Sequence, residues 1–400
     1  VQRSRVLALT GVLLFALAVR LLLLGAAAAS VTANHPELET RDLSLLFDGR
    51  LYLLVARSFP TPYQSGGNDP VPVDYPGLTV YLPLLPAAIW SVNGAVGDLR
   101  TSAILASLLA ACLTLLGFER LARRHLARPL LATALFAVLP PLWVLVSVLP
   151  FSDSAVLAAA TLAFAAFAAR RHGLAVLAAG AAAIAQKNGF LVAVVLVLLL
   201  VRDEGWRGWR RIALYALAAL PPLALQLYLY RVFGDPFVNV RATVAVWGGS
   251  PFALPGSTLL EGLLRFPALG GGSAWPNRIA VVVSLVFYAG ALWVSRRDKH
   301  AEARPLRTWL LVVLGFNLIL GGTWSYYDFP RHMLLAAPPA LLLWLRRCES
   351  RLQPATAGAV LATGVAFSFW YGLESVGVAV RVLEKVGVFN GLVKLRELFF

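Results

Sequence analysis

Apolar runs separated by short polar stretches make up most of this chain. They fall at 6–29, 101–118, 129–149, 154–169, 174–185, 189–201, 212–230, 278–295, 308–323, 333–345 and 355–373. Each is long enough, or nearly long enough, to cross a hydrocarbon core about 30 Å thick, which predicts about 11 transmembrane helices. The expected fold class is therefore all-α, a polytopic membrane bundle forming a single transmembrane domain over residues 1–400. The first run exceeds the apolar core of about 7 to 15 residues in a secretory signal, so a retained helix is expected there, with Arg20 inside it. Runs 174–185 and 189–201 are short and flank the polar triplet Gln186-Lys187-Asn188, which suggests segments that dip rather than cross.

One more apolar stretch, 78–96, decides the sidedness. Pro83, Pro86 and Gly97 favour a half-inserted, re-entrant segment. If it does not span, every basic cluster lands on one face, including Arg3 and Arg5, 119–128 and 202–211, as the positive-inside rule expects. The N-terminus is then cytoplasmic. The loops 30–100 and 231–277, the turn 150–154, the triplet 186–188 and the segment 324–332 share the outer face. Non-spanning backbone is tolerated at membrane depth only where protein or a cavity covers it, so a cavity beneath the outer loops is implied. The tail 374–400 alternates charge with apolar residues and is expected to form another interfacial helix.

Within the first outer loop, 30–100, residues 40–58 carry helical periodicity. Leu43, Leu46, Phe47, Leu51, Leu54 and Val55 share one face. Ser44, Asp48 and Tyr52 line up four apart on another. A helix of this kind lies in the interface and turns its polar row elsewhere. Asp48 is the acid in that row, to be read either as a site carboxylate facing the cavity or as a solvated surface acid. Asp69 and Asp74 lie in a Gly- and Pro-rich stretch that reads as loop and is expected to close over the cavity.

Composition narrows the class. At 59% hydrophobic and 14% charged, with mean hydropathy +0.74, the chain departs from soluble domains, which have about 45–50% apolar and about 25% charged residues. The net charge of +15 would suggest nucleic acid in a soluble domain. Here the basic residues cluster between apolar runs, where they report orientation, and no nucleic-acid partner is expected. Cys112 and Cys348 offer neither metal-ligand spacing nor a disulfide framework.

Charged groups at or within the hydrocarbon are costly and mark candidate sites. Lys187 stands between two short apolar segments, Asp153 directly follows a span, and Arg331 with His332 opens another. Each has a plainer reading. Lys187 would snorkel to the headgroups. Arg331 would anchor the interface beside Trp324, Tyr326 and Tyr327. Asp153 would cap a helix starting at Ser154.

FDGRLYLLVA at 47–56, followed by YLPLLPAAI at 81–89, resembles the first-loop pattern of the PIG-V-like mannosyltransferases. These are membrane glycosyltransferases of the GT-C fold, whose typical form is WD, then an aromatic and IA, then FFPLYP. VLPFSDSAVLAAATLAFAAFAARR is similar to that family's PYSES segment, FGDPFVNVRATVAVWG to its GDP loop, and FPRHMLLAAPPALLL to its PRY segment. The order is kept over most of the chain. Phe47 replaces the usual Trp, Gln186-Lys187-Asn188-Gly189 stands where an Arg-Pro-Thr-Gly type turn is common, and His332 replaces Tyr. Those departures bear on the sugar and the acceptor more than on the fold.

The resemblance implies a carboxylate in the first outer loop acting as catalytic base, which in this chain is Asp48. Nucleotide sugars are cytoplasmic, so an enzyme working outside would take its sugar from a polyprenyl-phosphate-linked donor in the membrane. A positioned carboxylate that deprotonates the acceptor hydroxyl supplies on the order of 10² to 10⁴ in rate. The departing lipid phosphate needs cationic donors. Lys187 and Arg331 are assigned to it, with Arg241 a weaker third, since Arg matches phosphate bidentately. Tyr52, Asp153 and His332 complete the expected substrate-binding set. The expected reaction is inverting transfer of a sugar, mannose by resemblance, to a lipid or glycan acceptor hydroxyl outside the plasma membrane.

No cofactor is expected. Use of a divalent metal is left open: Asp48 alone does not build a site, though Asp153 could join it across the cavity. Two rivals make different demands. A transporter or flippase of a lipid-linked sugar predicts repeat symmetry and polar groups near mid-bilayer, and apart from Arg20 the runs show little of either. A membrane scaffold predicts that the outer-loop acids are individually dispensable.

Overall fold

The computed structural model describes residues 2–36, 38–64, 76–247, 252–265, 275–298, 300 and 302–385. Among these the regular elements are helices, with no strand beyond an isolated bridge between Phe252 and Leu320. The first half runs α1 (Gln2–Thr32), α2 (Gly49–Arg57), α3 (Leu84–Val96), α4 (Leu99–His125), α5 (Pro129–Val138), α6 (Pro141–Val146), α7 (Ser152–Ala168), α8 (His172–Ala183) and α9 (Leu191–Glu204). The second runs α10 (Trp209–Ala216), α11 (Leu220–Phe233), α12 (Val238–Trp247), α13 (Ser257–Arg265), α14 (Trp275–Ser295), α15 (Ala303–Ile319), α16 (Thr323–Tyr327), α17 (Phe329–His332), α18 (Ala337–Cys348) and α19 (Pro354–Lys385).

Among the described residues five helices are long and apolar enough to cross a membrane: α1, α4, the continuous run α10–α11, α14 and α19. By length and composition the chain is a membrane protein. The expected count of about 11 spans is not reached on that measure, because α3, α5, α7 and α8 are apolar but only 10 to 17 residues long. At 1.5 Å per residue, the 13 residues of α3 extend about 20 Å, short of a full crossing. The long helices other than α4 present much of their apolar surface outward, with Leu7, Leu22, Leu223, Leu227, Val286 and Trp370 all exposed. The centre of the bundle is the α4, α7, α8 packing, where the alanines of α7 from Ala155 to Ala163 are almost all buried and let the neighbouring backbones approach closely.

The expected span 129–149 is cut in two. Pro140 and Pro141 have no N–H, so the carbonyls of Phe136 and Ala137 lose their helical donors. Arg20 restores one of them. Its Nη1 donates to Ala137 O at 3.0 Å, its Nε donates to Ser147 Oγ at 2.7 Å, and its guanidinium lies 5.2 Å from the Trp143 ring centroid. Ser368 Oγ donates to Val138 O at 2.9 Å from α19. The charge inside the first apolar run is thus a brace for a broken neighbour. The tail also differs from expectation, since α19 runs unbroken to Lys385 and residues 374–385 form no helix of their own. Residues 386–400 lie outside the described residues, as do Asp69 and Asp74.

The two ends of the bundle are chemically unlike. At one end Arg346 bonds Asp298 and Glu302, and Arg128 bonds Leu352 O while its backbone N–H donates to Glu349. The other end gathers the N-termini of α2, α4 and α7 with the α8–α9 turn. There Leu84 N–H donates to Ile184 O at 3.2 Å, docking α3 on that turn.

Candidate functional site

The site starts from a break in the first loop. Residues 40–58 do not form one helix. A short 3₁₀ turn, Thr40–Leu45, ends before Phe47, which takes a left-handed φ of 54°, and α2 begins at Gly49. The close approach of these segments requires Gly49, where a β-carbon would overlap the Ser44 carbonyl oxygen and press on Pro150. The expected polar row is dissolved by this kink. Ser44 is fully buried away from the row, while Asp48 becomes the residue that caps α2. Its carboxylate makes no capping bond to the helix. It therefore stands near the positive end of the helix dipole and reaches across to another element.

That element is α17. Arg331 Nη1 donates to Asp48 Oδ2 at 2.8 Å, and Arg331 Nε donates to Asp153 Oδ2 at 2.6 Å. The guanidinium also stacks 4.7 Å from the centre of the Phe151 ring. Asp153 lies in the first turn of α7, which starts at Ser152 rather than Ser154, and it does not cap that helix. Its second oxygen, Oδ1, accepts from Gln186 Nε2 at 2.9 Å. With both oxygens engaged and its side chain only 1% exposed, Asp153 is an anchor for Arg331.

The α8–α9 turn brings the remaining polar groups. Gly189 makes its tight return possible, because a β-carbon there would collide with Ala182 O. Asn188 Nδ2 donates to the His332 carbonyl at 3.2 Å, tying the turn to α17. Together α2, α7, this turn, α12 and the stretch 316–332 enclose a cavity of about 190 Å³. Asp48, Tyr52, Lys187, Asp328, Arg331 and His332 all line it, with Tyr81, Asn188 and Ser325. Tyr52 meets Tyr81 edge-on, with ring centroids 5.1 Å apart.

Burial sets the protonation of the lining. It pushes the Lys187 ammonium down to about 8, with Asp328 and Asp48 pulling it up and Arg331 pushing it further down. Burial and the neighbouring Arg331 push His332 to about 4, so its ring is neutral at pH 7. Burial raises Asp328, against the pull of Arg331 and Lys187. Burial also disfavours the Arg331 charge, but Asp153, Asp48 and Asp328 outweigh it and hold that pKa above the usual value. The Tyr52 hydroxyl is raised by desolvation and stays neutral.

Of the residues singled out in the sequence, Asp48, Tyr52, Asp153, Lys187, Arg331 and His332 meet here. Arg241 does not. It pairs with Asp235 on the outside of the molecule, its side chain 71% exposed, although Thr243 and Val244 of the same helix reach the cavity. Other loop acids are engaged elsewhere: Asp42 pairs with Arg100 in a buried contact, and Asp98 caps α4 by accepting from Thr101 N–H at 3.1 Å. Sequence reasoning passed over Gln186, Asn188, Tyr81 and Asp328. The first two flank Lys187 in a polar triplet, and Asp328 lies three residues before Arg331, so proximity to flagged charges was the available signal. Among the described residues no group of three or more His, Cys, Asp or Glu is placed to hold a metal ion. Compared with known proteins, the chain matches no family model and no curated protein.

Proposed function

We propose that the chain is an inverting glycosyltransferase of the GT-C type. It moves a sugar, mannose on the resemblance given above, from a polyprenyl-phosphate donor to a hydroxyl of a lipid or glycan acceptor at the outer face of the plasma membrane. One observation supports this reading above the others: a carboxylate, Asp48, and two cations, Lys187 and Arg331, line one cavity at one end of an apolar bundle. That is the set the reaction needs. The acceptor oxygen attacks the anomeric carbon from the face opposite the phosphate, and its proton passes to Asp48. The bond from the anomeric carbon to the phosphate oxygen breaks, its electron pair leaves with the phosphate, and Lys187 and Arg331 meet the charge. At about 190 Å³ the cavity is below the range of about 300–1,000 Å³ typical of ligand pockets. It suits a sugar headgroup while the isoprenoid chain stays in the bilayer.

The test is Asp48→Asn in proteoliposomes supplied with polyprenyl-phosphomannose and an extracted lipid acceptor fraction. Transfer should fall by about 10² to 10⁴ with the purified yield unchanged. Wild-type turnover in this variant would overturn the reading.

A further inference from the structure

Two buried polar atoms, on residues that line the cavity, are not used by anything described so far. Asn188 is only 3% exposed, and its amide is oriented by chemistry. Nδ2 faces the His332 carbonyl at 3.2 Å, and a carbonyl only accepts, so the nitrogen must be the atom on that side. The amide oxygen, Asn188 Oδ1, is then left buried with no hydrogen-bond partner among the described residues. His332 Nδ1 is in the same condition. Both residues line the one cavity, and the bond between them holds them side by side. Buried polar atoms are almost always paired, and an unpaired one costs enough that two at one cavity call for a partner.

The kind of partner follows from the atoms. Asn188 Oδ1 is an acceptor and wants a donor. A neutral imidazole presents one donor and one acceptor nitrogen, and His332 is neutral at pH 7. A fully ionised phosphate carries only acceptors and cannot satisfy Asn188 Oδ1, whichever tautomer His332 adopts, and Lys187 and Arg331 are already the groups that suit it. A hydroxyl satisfies both, donating to Asn188 Oδ1 and pairing with His332 Nδ1 in either tautomer. We propose that Asn188 and His332 form a hydroxyl-reading subsite in which vicinal hydroxyls of the transferred sugar are recognised, separate from the cationic pair that takes the phosphate. Asn188 is thus a specificity-determining residue. The subsite rests on the glycosyl-transfer reading for its occupant.

Two probes separate the parts. Farnesyl phosphate carries the anion alone, and farnesyl-phosphomannose carries the anion and the sugar. Binding of each to the full chain in nanodiscs, measured by calorimetry, should favour the glycosylated probe. Asn188→Leu keeps the volume and removes the acceptor, and should weaken farnesyl-phosphomannose about tenfold while leaving farnesyl phosphate unchanged. His332→Phe serves as the second variant should Asn188→Leu fail to fold, with the same split expected. Mono-deoxy mannosyl probes refine the result, because the analogue lacking the recognised hydroxyl should bind wild type and Asn188→Leu equally. If Asn188→Leu weakens both probes alike, or neither, the subsite is overturned while the transferase reading stands. If wild type binds neither probe, the donor assignment falls and the subsite falls with it.

Discussion

Two arginines, the buried Arg20 and the half-buried Arg331, show how differently this chain uses a charge in apolar surroundings. Arg20, in α1, is met by the Ala137 carbonyl, its own-helix Ala16 carbonyl and the Ser147 hydroxyl, with no acid partner among the described residues. Arg331, in α17, is met by two carboxylates from two other helices and faces a cavity. The first repairs backbone left without donors by Pro140 and Pro141, and nothing from outside can reach it. The second holds its charge where a ligand can compete for it. Position within an apolar stretch is common to both, so burial of a charge is not by itself the mark of a site. Counter-charges and accessible volume are.

The sharpest way to break this contrast is to remove Arg331. Arg331→Gln leaves Asp48 and Asp153 facing each other without their cation, and removing one partner of a buried pair costs about 3–5 kcal/mol. A marked fall in the thermal midpoint of the purified protein is expected. Adding Asp153→Asn should restore more than half of the loss, because the deeply buried carboxylate is then neutral and only the more exposed Asp48 is left without its cation. If the double variant is no more stable than the single one, Asp153 is not the anchor described above.

Arg20→Leu is expected to do less and in a different currency. It orphans the Ala137 carbonyl and takes a donor from the Ser147 hydroxyl, which keeps its bond to Val144 O, but also relieves a buried charge, for a net loss of about 1–3 kcal/mol. Transfer per folded molecule should be unchanged, and no carboxylate substitution should rescue it. A loss of turnover with unchanged stability would place Arg20 in the site after all.

These two residues also mark how far the sequence could be read. Lys187, Asp153 and Arg331 stood out because a charge in or beside an apolar run is costly, and five of the seven residues singled out for the site line one cavity, with Asp153 behind it, bonded to Arg331. Arg20 was noted only as a charge inside the first helix and given no role, since a sequence shows that a charge is present and not which carbonyl has lost its donor several elements away. Asp48 was legible as a residue but not in its setting. Periodicity placed it mid-helix, whereas the contact of Gly49 with Ser44 and Pro150 breaks the helix and puts Asp48 at the start of α2. Pro150 lies a hundred residues further along the chain, and local spacing does not contain its contact with Gly49. The span count is not confirmed, for a related reason. A run of apolar residues reads alike whether it faces lipid or is packed on all sides as α7 is, and prolines that cut a run act through backbone bonds rather than hydropathy.

The smallest effects belong to the two cations at the edge of the contrast, Lys187 and Arg241. Lys187 lines the cavity and its pKa is pushed down to about 8 by burial, so its charge is present below that pH and lost above it. Affinity for farnesyl-phosphomannose, a phosphodiester that does not titrate in this range, should be flat from pH 6 to 7, then fall as pH rises through 8, approaching about tenfold weaker per unit once the lysine is neutral. Lys187→Arg, which stays charged throughout, should flatten the profile over the same range. A wild-type profile that is level to pH 9 would remove Lys187 from phosphate binding. Arg241 supplies the comparison on the same protein. Its partner is Asp235 on an exposed face, and such pairs contribute about 0–1 kcal/mol. Arg241→Ala should therefore leave the affinity, its pH profile and the thermal midpoint close to wild type, whereas a loss of affinity with the profile intact would mean that α12 turns its basic side to the donor phosphate.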